Sequence, residues 1–317
     1  MGIDLALSLP MFKAARKGGF AIPALNANGN IITDAILEAA EQEKSPVIVQ
    51  ASQGAIDHAG NKNAERGTEV IVAMTKALLV GRPNAVAAVN LDHGKSVDQN
   101  RLCFLKGFTM LMYDGSKEPL EVNKANSWAI VKMARQRPGV AVEVEIGLLG
   151  ALGDSTEPGV ELAKMREHWT KPDELAELAY ASGADLFATA VGQIHGCRQK
   201  IAKIDFELFA ACIKAVEAVR NPAEIGFVFH GASGIPDEDV ERAIKEFGVV
   251  KINVDTELRQ AYINAFEKYQ LEALERNKIK NIDQRKPEDA GRKAVIEVAR
   301  KLMRMFGSSG QADLCRG

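Results

Sequence analysis

The sequence has no basic run, no closely spaced cysteine pair and no apolar stretch of membrane-spanning length. The first absence removes nucleic acid as the implied partner. Forty basic residues are balanced by 42 acidic ones, for a net charge of -2. The four cysteines, Cys103, Cys197, Cys212 and Cys315, show no C-x-x-C spacing and read as free thiols in a reducing compartment. The third absence excludes a spanning helix, so no membrane partner is expected. The N-terminus has no basic segment and carries Asp4 and Pro10, which makes a poor secretory signal, and Ala6 breaks a myristoylation pattern. A cytoplasmic protein is the expectation. No G-x-G-x-x-G follows the first strand candidate, which weakens a dinucleotide-binding open sheet. No linker, internal repeat or low-complexity tract divides the chain, so residues 1–317 are expected to form one domain.

Short apolar runs alternate with amphipathic segments along the chain. Strands are expected at Phe20–Leu25, Pro46–Ala51, Val86–Leu91, Thr109–Tyr113, Val140–Ile146, Leu186–Val191, Ile225–Phe229 and Val249–Val254. Helices are expected at Ile31–Glu43, Thr68–Leu79, Val97–Lys106, Glu118–Arg135, Pro172–Ala181, Phe206–Val219, Asp237–Phe247 and Glu257–Arg276. A Gly/Asn-rich loop is expected before Thr68, and an extra helix near Pro287–Met305. Eight strand–helix units in this length favour an α/β fold, a closed (β/α)8 TIM barrel with an extra C-terminal helix. The longest irregular stretch, Gly147 to Thr170, follows the fifth strand, and a loop of that length in a compact barrel reads as a lid.

Chemistry in such a barrel sits at the C-terminal ends of its strands. Those ends carry Asn26, Ser52, Asp92 with His93, Asp114 with Ser116, Glu143 with Glu145, His195, His230, and Asn253 with Asp255. Three of only five histidines, His93, His195 and His230, end strands, and each is followed by glycine. His58 and His168 fall in expected loops and read as surface residues. Three converging neutral imidazoles make a catalytic zinc site with open positions; the bland alternative is three histidines satisfied separately by backbone groups. The runs His230-Gly231-Ala232-Ser233-Gly234 and Asn253-Val254-Asp255-Thr256 close strands seven and eight, where small residues and a helix start favour a phosphate.

These residues, with Ala21–Asn26, Ser45–Gly54, Leu91–Gly94, Asp114–Ser116, Val142–Gly147, Gly192–Gly196 and Lys251–Thr256, resemble the class II, zinc-dependent fructose-bisphosphate and ketose-bisphosphate aldolases over nearly the whole chain. The resemblance implies that His93, His195 and His230 hold zinc, with Glu145 as a supporting or alternative metal contact. It implies Asp92 as the acid/base at the C4 hydroxyl. Gly196, Gly231, Ser233, Asp255 and Thr256 would bind the C1 phosphate, with a monovalent cation (Na+ or K+) nearby. Asn253 would contact the dihydroxyacetone part, with Asn26 and Ser52 close by. Arg259, and more weakly Arg285, would reach the far phosphate of a neighbouring subunit's substrate, which implies a homodimer or homotetramer. The implied reaction is reversible cleavage of a sugar phosphate, most simply fructose 1,6-bisphosphate, to dihydroxyacetone phosphate and glyceraldehyde 3-phosphate. Alternatives are another acceptor aldehyde, as in tagatose bisphosphate, or a zinc protein that binds sugar phosphate with little turnover.

The chemistry is consistent with the residues. Cleaving a ketose between C3 and C4 leaves an enediolate, which needs a Schiff-base lysine or a Lewis acid. Lys251 lies inside strand eight rather than at its end. Three positions depart from the family pattern: Asn90 stands for a histidine, Gln193 for a threonine, and Gly153 for the lid glutamate that moves a proton at C3. Asp154 or Glu157 could take the lid role if the lid is shifted; otherwise a slow aldolase or a different acceptor aldehyde is expected, and Gln193 is expected to alter contacts beside the phosphate.

Overall fold

The computed structural model describes residues 4–151, 162–197, 199–277 and 283–316. Eight parallel strands close into a barrel: β1 (Ile22–Asn26), β2 (Pro46–Ser52), β3 (Val86–Asp92), β4 (Met110–Asp114), β5 (Ala141–Ile146), β6 (Leu186–Thr189), β7 (Gly226–Phe229) and β8 (Val249–Val254). Each pairs with its chain neighbour, and β8 pairs with β1. The helices are α1 (Ser8–Gly18), α2 (Asn30–Glu43), α3 (Gln53–Gly60), α4 (Ala64–Leu78), α5 (Val97–Leu105), α6 (Leu120–Ala134), α7 (Pro172–Ser182), α8 (Phe206–Glu217), α9 (Asp237–Phe247), α10 (Thr256–Asn277) and α11 (Arg285–Met305). The expected barrel and the extra C-terminal helix are both present.

Every strand is covered on both faces, which is why each reads as a nearly unbroken apolar run. Residues alternate between an outer core under the helices and the barrel interior. The lower interior is apolar: Ile22, Ala24, Ile48, Val86, Ala88, Met110, Ala141, Leu186 and Val228 pack together. Helix α1, absent from the sequence expectations, caps this end with Met11, Phe12 and Ala15. Towards the strands' C-terminal ends the interior turns polar. Asn26 lies opposite Gln50, Gln50 opposite Asn90, Ser52 opposite Asp92 and Asp114 opposite Glu145, so the register sets the polar residues side by side.

The expected Gly/Asn-rich loop after β2 is mostly helix. Ser52 Oγ caps α3 by accepting from Ala55 N, and Asn63 Oδ1 caps α4 by accepting from Arg66 N at 2.9 Å. The glycines serve the approach of the two helices. A Cβ on Gly67 would lie 1.9 Å from the Ile56 carbonyl oxygen, so only glycine permits this backbone contact.

Strand β6 also ends earlier than expected, at Thr189. His195 therefore comes from a separate two-residue ladder, Ile194–His195 paired with Gly150–Ala151. The lid positions Gly153, Asp154 and Glu157 lie outside the described residues. Among the described residues, no helix is long and apolar enough to cross a membrane.

Candidate active site

The mouth of the barrel is built around the end of β3. Asp92 and His93 are both buried, and His93 has φ 50°, in the left-handed region that a residue other than glycine rarely adopts. Several contacts hold this conformation. His93 N donates to Met112 Sδ at 3.2 Å, and His93 Nδ1 lies 2.8 Å from Asp114 Oδ2 and 3.2 Å from Glu145 Oε2. A Cβ on Gly94 would meet the Met112 carbonyl oxygen at 2.4 Å, so the next residue is confined to glycine.

His230 follows β7. Its Nε2 lies 2.6 Å from Glu143 Oε1 and its Nδ1 3.0 Å from His93 Nε2. The His195 ring sits 5.3 Å from His93 and 6.2 Å from His230, centroid to centroid. One ring nitrogen from each of the three lies within 4.8 Å of the others. His93, Asp114 and Glu145 form a second such group sharing His93.

The donor set fits a metal. Each of His93 and His230 presents one nitrogen to a carboxylate, so that nitrogen carries the proton and the other turns its lone pair inward. Carboxylate–histidine pairs of this kind orient metal ligands. Two ligands at ~2.0 Å in a tetrahedral site stand ~3.3 Å apart, close to the His93–His230 spacing. Glu145 Oε2 is buried, and the His93 Nδ1 that lies 3.2 Å away already points at Asp114, so no hydrogen bond reaches it. Electrostatics point the same way. Burial pushes the His93 pKa down, but the carboxylates of Glu145 and Asp114 outweigh it and hold the ring well above the usual histidine value. A site that attracts a proton this strongly also attracts a metal cation. Burial and the neighbouring His93 and His230 rings hold His195 well below its ordinary value, which keeps it neutral.

Asp92 is fixed by a row of amides. Asn90 Nδ2 donates to Gln50 Oε1 at 3.0 Å, Gln50 Nε2 to Asn26 Oδ1 at 3.3 Å, and Asn26 Nδ2 to Asp92 Oδ2 at 2.8 Å. Asn90 is thus the far end of this row. On the other side, Asn253 Nδ2 approaches Asp92 Oδ1 at 3.4 Å and His230 Nδ1 at 3.0 Å. Lys251 is fully buried, and its ammonium donates to Glu143 Oε2 at 2.8 Å and Asn253 Oδ1 at 2.7 Å. Burial pushes the Glu143 pKa up, but Lys251 and His230 overcome this and bring the carboxyl to about 2.

The opposite wall is glycine-lined. Gly196 and Gly231 both have positive φ, Ser233 lies in a short turn, and Thr256 opens α10. Asp255 accepts from Arg259 at 2.9 Å and from Asn28 at 2.6 Å. These residues line one cavity of about 640 Å³ with Asn26, Asn28, Ser52, Asp92, the three histidines and Asn253. The structure therefore gathers every expected site residue at one mouth, with Glu145 directly behind His93. Arg259 faces its own chain's cavity, and Arg285 is exposed and paired with Asp283. His58 is exposed, as expected, but on α3 beside this cavity rather than in a loop. Gln193 does not reach the phosphate side. It is buried, accepts from Val191 N at 2.7 Å and donates to the Thr189 carbonyl at 2.9 Å, bracing the chain that carries His195. Asn28 and Gln50 escaped the sequence reading of the site, in which Lys251 counts only as an interior strand residue.

Fold and cavity together define a barrel enzyme whose polar cluster occupies the C-terminal mouth. The chain matches the family described as fructose-bisphosphate aldolase class-II over residues 8–311. It is 36% identical to the fructose-bisphosphate aldolase of Geobacillus stearothermophilus over 95% of this chain and 96% of that one. It is 34% identical to the 6-phospho-5-dehydro-2-deoxy-D-gluconate aldolase of Halalkalibacterium halodurans, again over 95% and 96%. Among solved structures, the YdjI aldolase from Escherichia coli K12 superposes with a TM-score of 0.74 at 29% identity, covering 97% of this chain and 99% of that one. The chain belongs to the class II fructose-bisphosphate aldolase family, and its activity is that of an aldehyde-lyase.

Proposed function

We propose that this aldolase reversibly cleaves a ketose phosphate between C3 and C4, most simply fructose 1,6-bisphosphate, with dihydroxyacetone phosphate as the constant product. The observation that carries the reading is Asp92 fixed beside three converging histidines, facing a glycine-lined wall at the start of a helix. His93, His195 and His230 would hold zinc, with Asp114 and Glu145 orienting His93 and Glu145 open to an alternative metal position. Zinc, when bound, supplies Lewis-acid stabilisation for negative charge on the ketose oxygens. Asp92 takes the C4 hydroxyl proton as the C3–C4 bond breaks, and the bonding pair stays with the dihydroxyacetone half as its enediolate. In condensation the same carboxyl returns the proton. Asn253 donates to that half's oxygens, with Asn26 and Ser52 close by. Backbone N–H groups at Gly196, Gly231, Ser233, Asp255 and Thr256 cradle the C1 phosphate beside a monovalent cation. Lys251, charged and doubly paired, supports metal rather than Schiff-base chemistry. The whole chain acts as one barrel domain in a cytoplasmic homodimer or homotetramer, and Arg259 serves a phosphate.

A second reading keeps dihydroxyacetone phosphate and changes the aldehyde. It is favoured by the outer cavity wall, where α3 and α4 present Ala55, Ala59, Val70, Ile71 and Met74. Among the described lining residues Arg259 is the one arginine or lysine, and Asp255 already pairs with it. The relatives named above, fructose-bisphosphate and 6-phospho-5-dehydro-2-deoxy-D-gluconate aldolases, stand at nearly equal identity and do not separate the two.

The test is cleavage of fructose 1,6-bisphosphate with and without chelator, followed by zinc. Activity lost to chelator and regained with zinc supports the assignment. Cleavage indifferent to chelator refutes the three-histidine site. No cleavage with zinc bound moves the reading to the second acceptor, tested by condensing dihydroxyacetone phosphate with an aldehyde panel. Replacing Asp154 and Glu157 with alanine one at a time identifies the lid group, whose loss costs about 10²–10⁴-fold.

A further inference from the structure

We infer that Lys251 is a positioning residue that sets the working orientation of both Asn253 and His230. A buried ammonium is costly unless each of its partners is strong. The strand deforms to bring this one in. Between β7 and β8 the register runs Val249 to Phe227 and then Lys251 to Val228, which leaves Val250 as an extra residue. At this bulge both Val250 and Lys251 face the barrel interior, Val250 in the apolar layer and Lys251 above it.

The ammonium has only donors, so the Asn253 atom 2.7 Å away must be the amide oxygen. That fixes the flip of Asn253. Its NH2 group is left pointing at Asp92 and His230, as a donor aimed at the place where substrate oxygens gather charge. Through the second bond, Lys251 anchors Glu143 by Oε2, which sets Oε1 against His230 Nε2 at 2.6 Å. That contact fixes the ring's rotation and turns Nδ1 toward His93 Nε2 and Asn253 Nδ2, each 3.0 Å away. A single side chain thereby orients two site residues that it does not adjoin in sequence order.

This inference rests on the proposed zinc aldolase chemistry, and the test separates the two. The full-length protein is measured for zinc affinity by chelator competition and for exchange of the dihydroxyacetone phosphate C3 proton into deuterated water. Lys251→Met should slow exchange about 10²-fold with KM changed less than ~3-fold, and weaken zinc about 10-fold. In an Asn253→Ala background the same change should cost less than ~3-fold further, because the two act as one unit. Glu143→Gln/Lys251→Met guards against misfolding by removing both charges together. It should recover folding and still exchange at least ~30-fold slowly, since Asn253 loses its guide. Multiplicative losses in the cycle overturn the inference. So does a Lys251→Met protein that only melts earlier, or a double variant with wild-type exchange. If the wild type binds zinc yet exchanges no proton, the aldolase chemistry fails, while zinc affinity still decides whether Lys251 acts through His230.

Discussion

The amide row behind Asp92 predicts a crossed pattern of effects. Gln50→Leu keeps the volume of a fully buried side chain and deletes both of its hydrogen bonds. It strands Asn90 Nδ2 and Asn26 Oδ1. An unpaired buried group costs about 1–3 kcal/mol. Asn90 is sealed and bears the full penalty, and its Oδ1 already lacks a partner. Asn26 lies at the cavity floor, where water can replace the lost donor, so the total should be about 2–3 kcal/mol. Activity should fall less. Asp92 still attracts the Asn26 amide directly, and losing the second anchor of that orientation is worth ~1 kcal/mol, or roughly 5-fold. Asn26→Ala reverses the balance. It removes the 2.8 Å donor to Asp92 beside the cavity and should lower kcat by about 10–10²-fold while costing ~1 kcal/mol of stability. Urea unfolding with a shared m value reads the first quantity, and initial rates of ketose phosphate cleavage read the second. A Gln50→Leu protein within ~0.5 kcal/mol of wild type, or an Asn26→Ala protein within 2-fold in kcat, would refute the row as the device that orients Asp92.

Three further outcomes are expected. Burial pushes the Glu43 carboxyl up, but Arg304, Arg300 and Ser309 overcome it and bring its pKa to about 2 from 4.5. Its contribution is therefore complete above pH ~4.5 and is lost as pH falls from there towards 2; discounted for the exposed Arg304 it is ~1–2 kcal/mol. Melting curves of wild type and Glu43→Gln should converge at pH 2 and separate by pH 5, and parallel curves would remove the ion pairs as the cause. Gly67→Ala drives a methyl into the Ile56 carbonyl and should cost at least 1–3 kcal/mol, read as an earlier melt that Gly54→Ala, whose Cβ would meet only Ser52 Oγ at 3.8 Å, does not share. Met74→Lys places a cation on the apolar wall of the cavity and should raise the preference for phosphorylated over unphosphorylated aldehydes several-fold in condensation assays. Equal effects on both aldehydes would mean that this wall does not meet the acceptor.

Much of this architecture is legible in the sequence because the barrel is repetitive and both faces of its strands are buried. The apolar runs mark the strands, and the polar residue closing each run marks the mouth. What escaped has particular physical causes. Helix α1 covers the barrel floor through tertiary packing of Met11, Phe12 and Ala15, which no local pattern announces. Gly60 and Gly67 look like loop residues, yet they permit two helices to touch. The early end of β6 was hidden because Ala190 and Val191 stay apolar and buried while the backbone has already turned, with Gln193 imitating the next strand residue through its side-chain amide.

The residues supporting the site follow a rule that the sequence does carry. Side chains two apart on a strand share a face, so the residue two before a strand-end polar group lies directly beneath it inside the barrel. Gln50 precedes Ser52, Asn90 precedes Asp92, Glu143 precedes Glu145 and Lys251 precedes Asn253 by that interval, and all four are fully buried. A polar residue in the middle of a doubly buried strand is hard to account for as packing, because its desolvation must be offset by a partner in the same layer. The layer beneath the mouth supplies those partners. Gln50 meets Asn90, and Glu143 meets Lys251 across the bulge in β8. The neutral pair leads to Asp92 and the charged pair to His230 and Asn253, so the chemistry at the mouth inherits its orientation from one stratum below.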